Sequence, residues 1–371
     1  MRLKSLDVFR GMTIFLMIIV NNINDLGASA KAFSIFDHAP WFGFTFADIV
    51  FPSFLFAMGT SFALTNANKL NDGQYFTKLI KRTLVLYIIG VLLFLFPFYH
   101  YDENGVLKIF DLSHARVLGV LQRIALCYLL AGILIRYFDK AKILIISAII
   151  LVGYWLILYF GAPNGLQYDK FHNFGSMVDN LIIPKNHLYE WDEGFEPEGI
   201  LGTFPAVVNV LAGFLLGATL KEANDLKPLV KKIAIIGIAL ILFGNLWGVV
   251  FPIAKKLWTS SFAILCIGID LLVMSALVWL IEIKKQNHGG IFFEIIGINP
   301  LMIYIFSELM PMVLSNIKPS KDISVFKYIT DFFVNIGFIG GVGSIGFAII
   351  FALFCWGFGY LLYKNKIIVK I

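Results

Sequence analysis

The sequence predicts an all-α fold, a polytopic bundle of about ten transmembrane helices. Three observations carry this. Hydrophobic residues make up 59% of the 371 and charged residues only 15%, far from the usage of a soluble domain. Apolar segments of bilayer length recur along the whole chain. No polar block is long enough for a separate soluble domain, so residues 1–371 read as a single membrane domain.

Spans are expected near 8–25, 44–64, 83–98, 116–135, 143–160, 199–220, 233–252, 261–282, 291–314 and 342–363. The first, MRLKSLDVFRGMTIFLMIIVNN, holds Arg10 and is followed by no small-residue cleavage site, so it reads as a retained span. The stretch 323–338 is apolar on one side only and is expected to lie in the interface. An even number of spans puts both termini on one side. The loops of that side carry about twice the Lys and Arg of the other, which makes the termini cytoplasmic. The net charge of +6 therefore orients the chain and forms no nucleic-acid patch. Cys127, Cys266 and Cys355 all fall inside spans, offering neither a disulfide framework nor a metal site.

The far side is acidic. Its largest loop, about 161–198, carries Asp169, Asp179, Glu190, Asp192, Glu193, Glu196 and Glu198. It is too long for a simple connector and suits an ordered outer cap. Its acids, with Tyr189 and Trp191, suit a polar, cationic or sugar-like ligand; a solvated face is the alternative.

Polar residues within spans are the candidates for function. Asp48 is the single acid of the second span, with His38 ten residues before it. It reads either as a functional acid or as a helix-boundary acid held by the first-turn N–H groups. His38 adds a group that changes charge near neutral pH. Asp7 and Arg10, three apart, suit a local pair. Asn21 should face a partner or a cavity. Arg123 needs a carboxylate such as Asp48 or Asp270, carbonyls, or an anionic ligand. Glu198 reads as an acid in the first turn of the sixth span. The eighth span opens KKLWTSS, a basic and hydroxyl cluster that includes Ser261. In GINPLMIYIFSE, Pro300 must break the helix, Asn299 is placed to re-satisfy the freed groups, and Tyr304 and Glu308 share one face. These residues describe an internal polar path and leave transporter and enzyme equally open.

The chain resembles the heparan-α-glucosaminide N-acetyltransferase family of transmembrane acetyltransferases. The resemblance lies in SLDVFRGMTI with the following IVN, HAPWFGFTFADIVFPSFLFAMGTS, GVLQRIALCY, EPEGILGT, KKLWTSSF, GINPLMIYIFSE and YKNKIIVKI, in that order. It implies transfer of acetyl from acetyl-CoA, entering on the cytosolic side, to the amine of a terminal glucosamine on the opposite side. It also implies that His38 is the active-site histidine, Asn21 the neighbouring asparagine, and Asp48 the acid of the ADxVFP run. A general-base imidazole, an oxyanion donor at Asn21 and an Asp48 that orients His38 or holds the ammonium would suit that reaction. Direct attack within a ternary complex is expected over an acetyl-imidazole on His38.

Candidate acetyl-CoA contacts are Arg10, Arg123, Ser261, Asn299, Tyr304, Lys364 and Lys366; candidate sugar contacts are Trp41, Glu198 and Glu308. No metal is called for. The lysosomal member of the family has a luminal N-terminal domain that is expected to be absent here, and the loop between Asn21 and His38 is expected to be longer than in that relative. A free or short-chain amino sugar is therefore expected in place of heparan sulfate. A bacterial inner membrane is the expected location and a homodimer a possible assembly. An amino-sugar permease without acyl transfer is the alternative.

Overall fold

A computed structural model describes residues 3–31, 33–64, 70–101, 104, 106–110, 112–286, 289–319 and 323–369. Parts of the basic loops at 65–82 and 284–290, and the last two residues of the tail, lie outside the described residues. Thirteen α-helices account for most of the described chain. They are α1 (Lys4–Asn21), α2 (Val50–Leu64), α3 (Asp72–Leu95), α4 (Val120–Tyr137), α5 (Lys140–Gly161), α6 (Phe174–Ile182), α7 (Ile200–Glu222), α8 (Leu226–Trp247), α9 (Ser260–Leu277), α10 (Gly290–Ile298), α11 (Pro300–Asn316), α12 (Val325–Asn335) and α13 (Gly340–Lys364). A short antiparallel hairpin, β1 (Tyr99–Tyr101) and β2 (Leu107–Ile109), joins α3 to α4.

Among the described residues seven helices are long and apolar enough to cross a membrane, or eight with α10 and α11 counted as one span bent by 83°. The protein is thus a multi-pass membrane protein. The long helices α1 and α3 fall short of the same standard because their first turns carry Lys4, Asp7 and Arg10, and Asp72, Lys78, Lys81 and Arg82. The bend falls at Pro300, which has no N–H to continue the ladder. The stretch expected to lie in the interface forms α12, a short amphipathic helix.

The chain divides into two compact units. Residues 40–44 and 55–279 form the first; 3–39, 45–54 and 280–369 form the second. Lipid gives helices no hydrophobic reason to associate, so close backbone approach has to supply the attraction. In the first unit α2 and α7 meet at Gly59 and Gly213, where a Cβ would fall on the carbonyls of Val210 and Phe56. In the second, α1 and α10 meet at Gly11 and Gly297, each facing a carbonyl of the other helix.

Polar ends are closed locally. Asn71, Asp139, Asn173, Asp225 and Ser324 each accept a backbone N–H at the start of α3, α5, α6, α8 and α12. The acid that caps α7 is Asp179 of α6, whose Oδ1 accepts the Ile200 N–H at 2.8 Å. This corrects the reading of Glu198, which precedes the Gly199 N-cap and bonds to Arg116 instead.

Candidate active site

The second unit's polar chemistry centres on Asp25, His38 and Ala39 and on the turn that Thr45 opens. Phe46–Ile49 is a single 3-10 turn leading into α2, with Thr45 as N-cap and Asp48 in the capping-box position. Asp48 is fully buried, and its two oxygens divide the work. Oδ2 accepts the Thr45 N–H at 2.9 Å, the Thr45 hydroxyl at 3.1 Å and the Ala39 N–H at 3.4 Å. Oδ1 lies 2.9 Å from Nδ1 of His38. The boundary-acid reading of Asp48 holds on Oδ2, which caps the turn, while Oδ1 pins a histidine.

The tautomer follows from the partner. A carboxylate has no proton to give, so Nδ1 donates and Nε2 is the basic nitrogen. The His38 side chain is 41% exposed. It is an imidazole fixed in orientation at one nitrogen and accessible to a substrate.

A second polar group of this unit sits at the end of α1. Asn21 Nδ2 donates to Glu308 Oε1 of α11 at 2.9 Å, joining positions 287 residues apart. Asp25, which the sequence reading passed over, belongs with them. Its Oδ2 is buried with no hydrogen-bond partner. Burial first, and the Glu308 carboxylate second, push its carboxyl up to about 7. Two acids and an amide gathered at one helix end suit a cationic ligand. Asp25 gave no signal in the sequence because it falls at the very end of the first expected span, and Glu308 is far away along the chain.

The other candidates fall in distinct places. Arg10 is paired with Asp7 on its own helix, as their spacing implied. Tyr304 is buried one turn before Glu308. Asn299 was expected to re-satisfy the backbone freed by the bend; it binds the C-terminal tail instead. Its Nδ2 donates to the Ile367 carbonyl at 2.8 Å, and its Oδ1 accepts the Val369 N–H at 2.9 Å. Lys364 and Lys366 flank the end of α13 as exposed cations.

Four candidates belong to the first unit. Arg123 is buried, donates to the Gly199 carbonyl at 3.0 Å and lies 5.1 Å from the Trp258 ring. Ser261 is buried and gives its hydroxyl to the Phe251 carbonyl at 2.6 Å. Glu198 and Glu196 share Arg116, which lies 4.0 Å from the Tyr189 ring. Burial, opposed by Arg116, pushes Glu196 up to about 7. Trp41 donates to the Tyr168 carbonyl at 2.9 Å and packs edge-on against Phe195. It lines a pocket of about 640 Å³ in the acidic cap, together with Asp169, Lys170, Asp192 and Lys256. Lys170 and Lys256 both bond Asp192, so ion pairs hold the 161–198 loop to itself and to the segment before α9.

A family profile described as heparan-α-glucosaminide N-acetyltransferase, catalytic, matches residues 2–245. The chain is 26% identical over 367 residues to the heparan-α-glucosaminide N-acetyltransferase of Homo sapiens, covering 83% of this chain and 53% of that protein. The Mus musculus protein of the same name is 26% identical over 366 residues, covering 83% and 54%. The chain spans about half the length of the curated relatives it matches.

Proposed function

The chain belongs to the heparan-α-glucosaminide N-acetyltransferase family, and we propose that it moves acetyl from cytoplasmic acetyl-CoA to the amine of a glucosamine-type sugar on the outer side of an inner membrane. Residues 1–371 act as one acetyltransferase domain of about ten spans with both termini inside. The observation that carries this reading is the His38–Asp48 pair, an exposed imidazole oriented by a buried carboxylate.

An ammonium must lose a proton before its nitrogen can attack a thioester. Nε2 of His38 takes that proton, and Asp48 steadies the imidazolium that forms. Such base help is worth roughly 10²–10⁴-fold in rate. Asp25 and Glu308 hold the incoming ammonium, and the amide of Asn21, which keeps a second N–H beyond the one given to Glu308, faces the developing oxyanion. Lys364 and Lys366 attract the phosphates of CoA. Transfer is direct, within a ternary complex, because proximity serves a single step best: the amine forms the amide C–N bond, the thioester C–S bond breaks, and the imidazolium returns its proton to the sulfur of the departing CoA.

Purified protein, labelled acetyl-CoA and glucosamine, followed by mass spectrometry of the sugar, tests the reading. Labelled N-acetylglucosamine is the expected product. Sugar flux into vesicles without any acetylated product would replace the enzyme by a permease.

A further inference from the structure

The first unit carries a second, chemically different cavity that the proposed reaction leaves unused. It is a groove of about 1070 Å³ between α5, α7, α8 and α9. Its walls are apolar almost throughout: Leu144, Ala148, Leu240, Phe243 and Ile267 are typical. The two hydroxyls on its wall do not alter this. Ser147 donates to the Ile143 carbonyl and Thr219 to the Leu215 carbonyl, so each is consumed by its own helix. The groove thus offers nothing to a polar ligand along its length.

Its ends differ. Lys232 is the single charged side chain lining it among the described residues, and it is exposed. At the other end stand Trp155 and Trp247, packed edge-on at 5.8 Å. Fifteen residues of α8 separate Lys232 from Trp247, a rise of about 22 Å, within a hydrocarbon core of about 30 Å. A cation at one headgroup level and tryptophans toward the other are the marks of a membrane-facing surface. The flanking helices agree, since α5 and α8 are the least buried of the membrane-capable helices.

Charge decides what fills it. The neighbouring lysines at this end of the unit are already neutralised: Lys140 pairs with Glu222 and Lys142 with Asp139. Lys232 has no ion-pair partner among the described residues, and neither do Lys231 and Lys227 on the first turns of the same helix. We propose that the groove is a binding site for one anionic phospholipid, its acyl chains lying along α5 and α8 and its phosphate on Lys232. Basic pockets between spans are suited to such headgroups. The proposal stands whether or not the protein transfers acetyl groups.

Native mass spectrometry of the full chain in detergent tests it, with phosphatidylglycerol, phosphatidylcholine of the same acyl chains, and glycerol 1-phosphate as probes. Phosphatidylglycerol should be retained about fivefold over phosphatidylcholine, the ratio that ~1 kcal/mol per membrane-surface lysine gives. Lys232→Gln should remove that preference while both lipids still bind. Ala148→Trp, at an exposed wall position, should lose both. Equal retention of the two lipids by the wild type, or an unchanged preference in Lys232→Gln, would overturn the site. So would displacement of phosphatidylglycerol by glycerol 1-phosphate, which marks an ion site with no role for the chains. Lys232 is a surface residue, so its variant reads binding without endangering the fold.

Discussion

Asp48 and Glu196 are both buried carboxylates in loop segments leading into a helix, and each bonds a basic side chain. Their surroundings make them different objects. Arg116, the partner of Glu196, is 12% exposed, shared with Glu198 and placed beside the Tyr189 ring. A guanidinium does not give up its proton, so this cluster can only hold. His38, the partner of Asp48, is 41% exposed and carries an imidazole, which can take up and give back a proton. A buried acid becomes chemistry when its partner can both exchange a proton and meet a substrate. Without those two properties it is a staple.

The contrast makes measurable claims. His38→Ala should lower kcat/KM for acetyl transfer by about 10²–10⁴-fold, with an unchanged melting profile. Wild-type turnover would remove His38 from the reaction. Arg116→Ala should do the reverse, costing stability of about 3–5 kcal/mol because it strands two buried carboxylates. The loss should be smaller at pH 5 than at pH 8, since Glu196, already pushed to about 7, then takes up a proton. Molecules that remain folded should turn over normally, as measured by activity per folded fraction.

Asp25→Asn probes the acidic end of α1. The native Asp25 carboxyl lies near 7 and the unfolded one near 3.8, so the folded protein holds that proton more tightly. Its contribution is present below the unfolded value and is lost as pH rises through 7. The asparagine variant should therefore gain stability at pH 8 relative to wild type, by at most about 4 kcal/mol. Melting curves that run parallel from pH 4 to pH 8 would contradict the burial of this acid. Smallest of all, Lys364→Glu with Lys366→Glu should raise KM for acetyl-CoA about tenfold at low salt, the difference shrinking as ionic strength approaches 0.15 M. An unchanged KM would move the phosphates elsewhere.

Much of this site is legible in the sequence. His38 and Asp48 stand ten apart beside an apolar span, and that pairing needs only one loop to close. Pro300 announces the break between α10 and α11 for a covalent reason. What fails is anything that depends on partners distant in sequence. Asn299 looks free to mend the break, yet it clasps a tail nearly 70 residues on. Glu198 looks like the acid at a helix start, but Asp179 reaches that position from α6. Arg123 and Ser261 attract attention as polar groups in spans, and the backbone carbonyls that accept from them carry no sequence signature. Composition marks polarity; only the fold says which polar groups are already paired.

The contact between Gly11 and Gly297 bears on how damaging substitutions in this protein are read. Any side chain there meets a carbonyl of the facing helix, so α1 and α10 must separate for a single methyl group. Such variants will score as inactive in a cellular screen alongside changes at His38, without touching the reaction. Abundance separates the two classes. A glycine variant should disappear from the membrane fraction through degradation, whereas a histidine variant should accumulate at normal levels and do nothing.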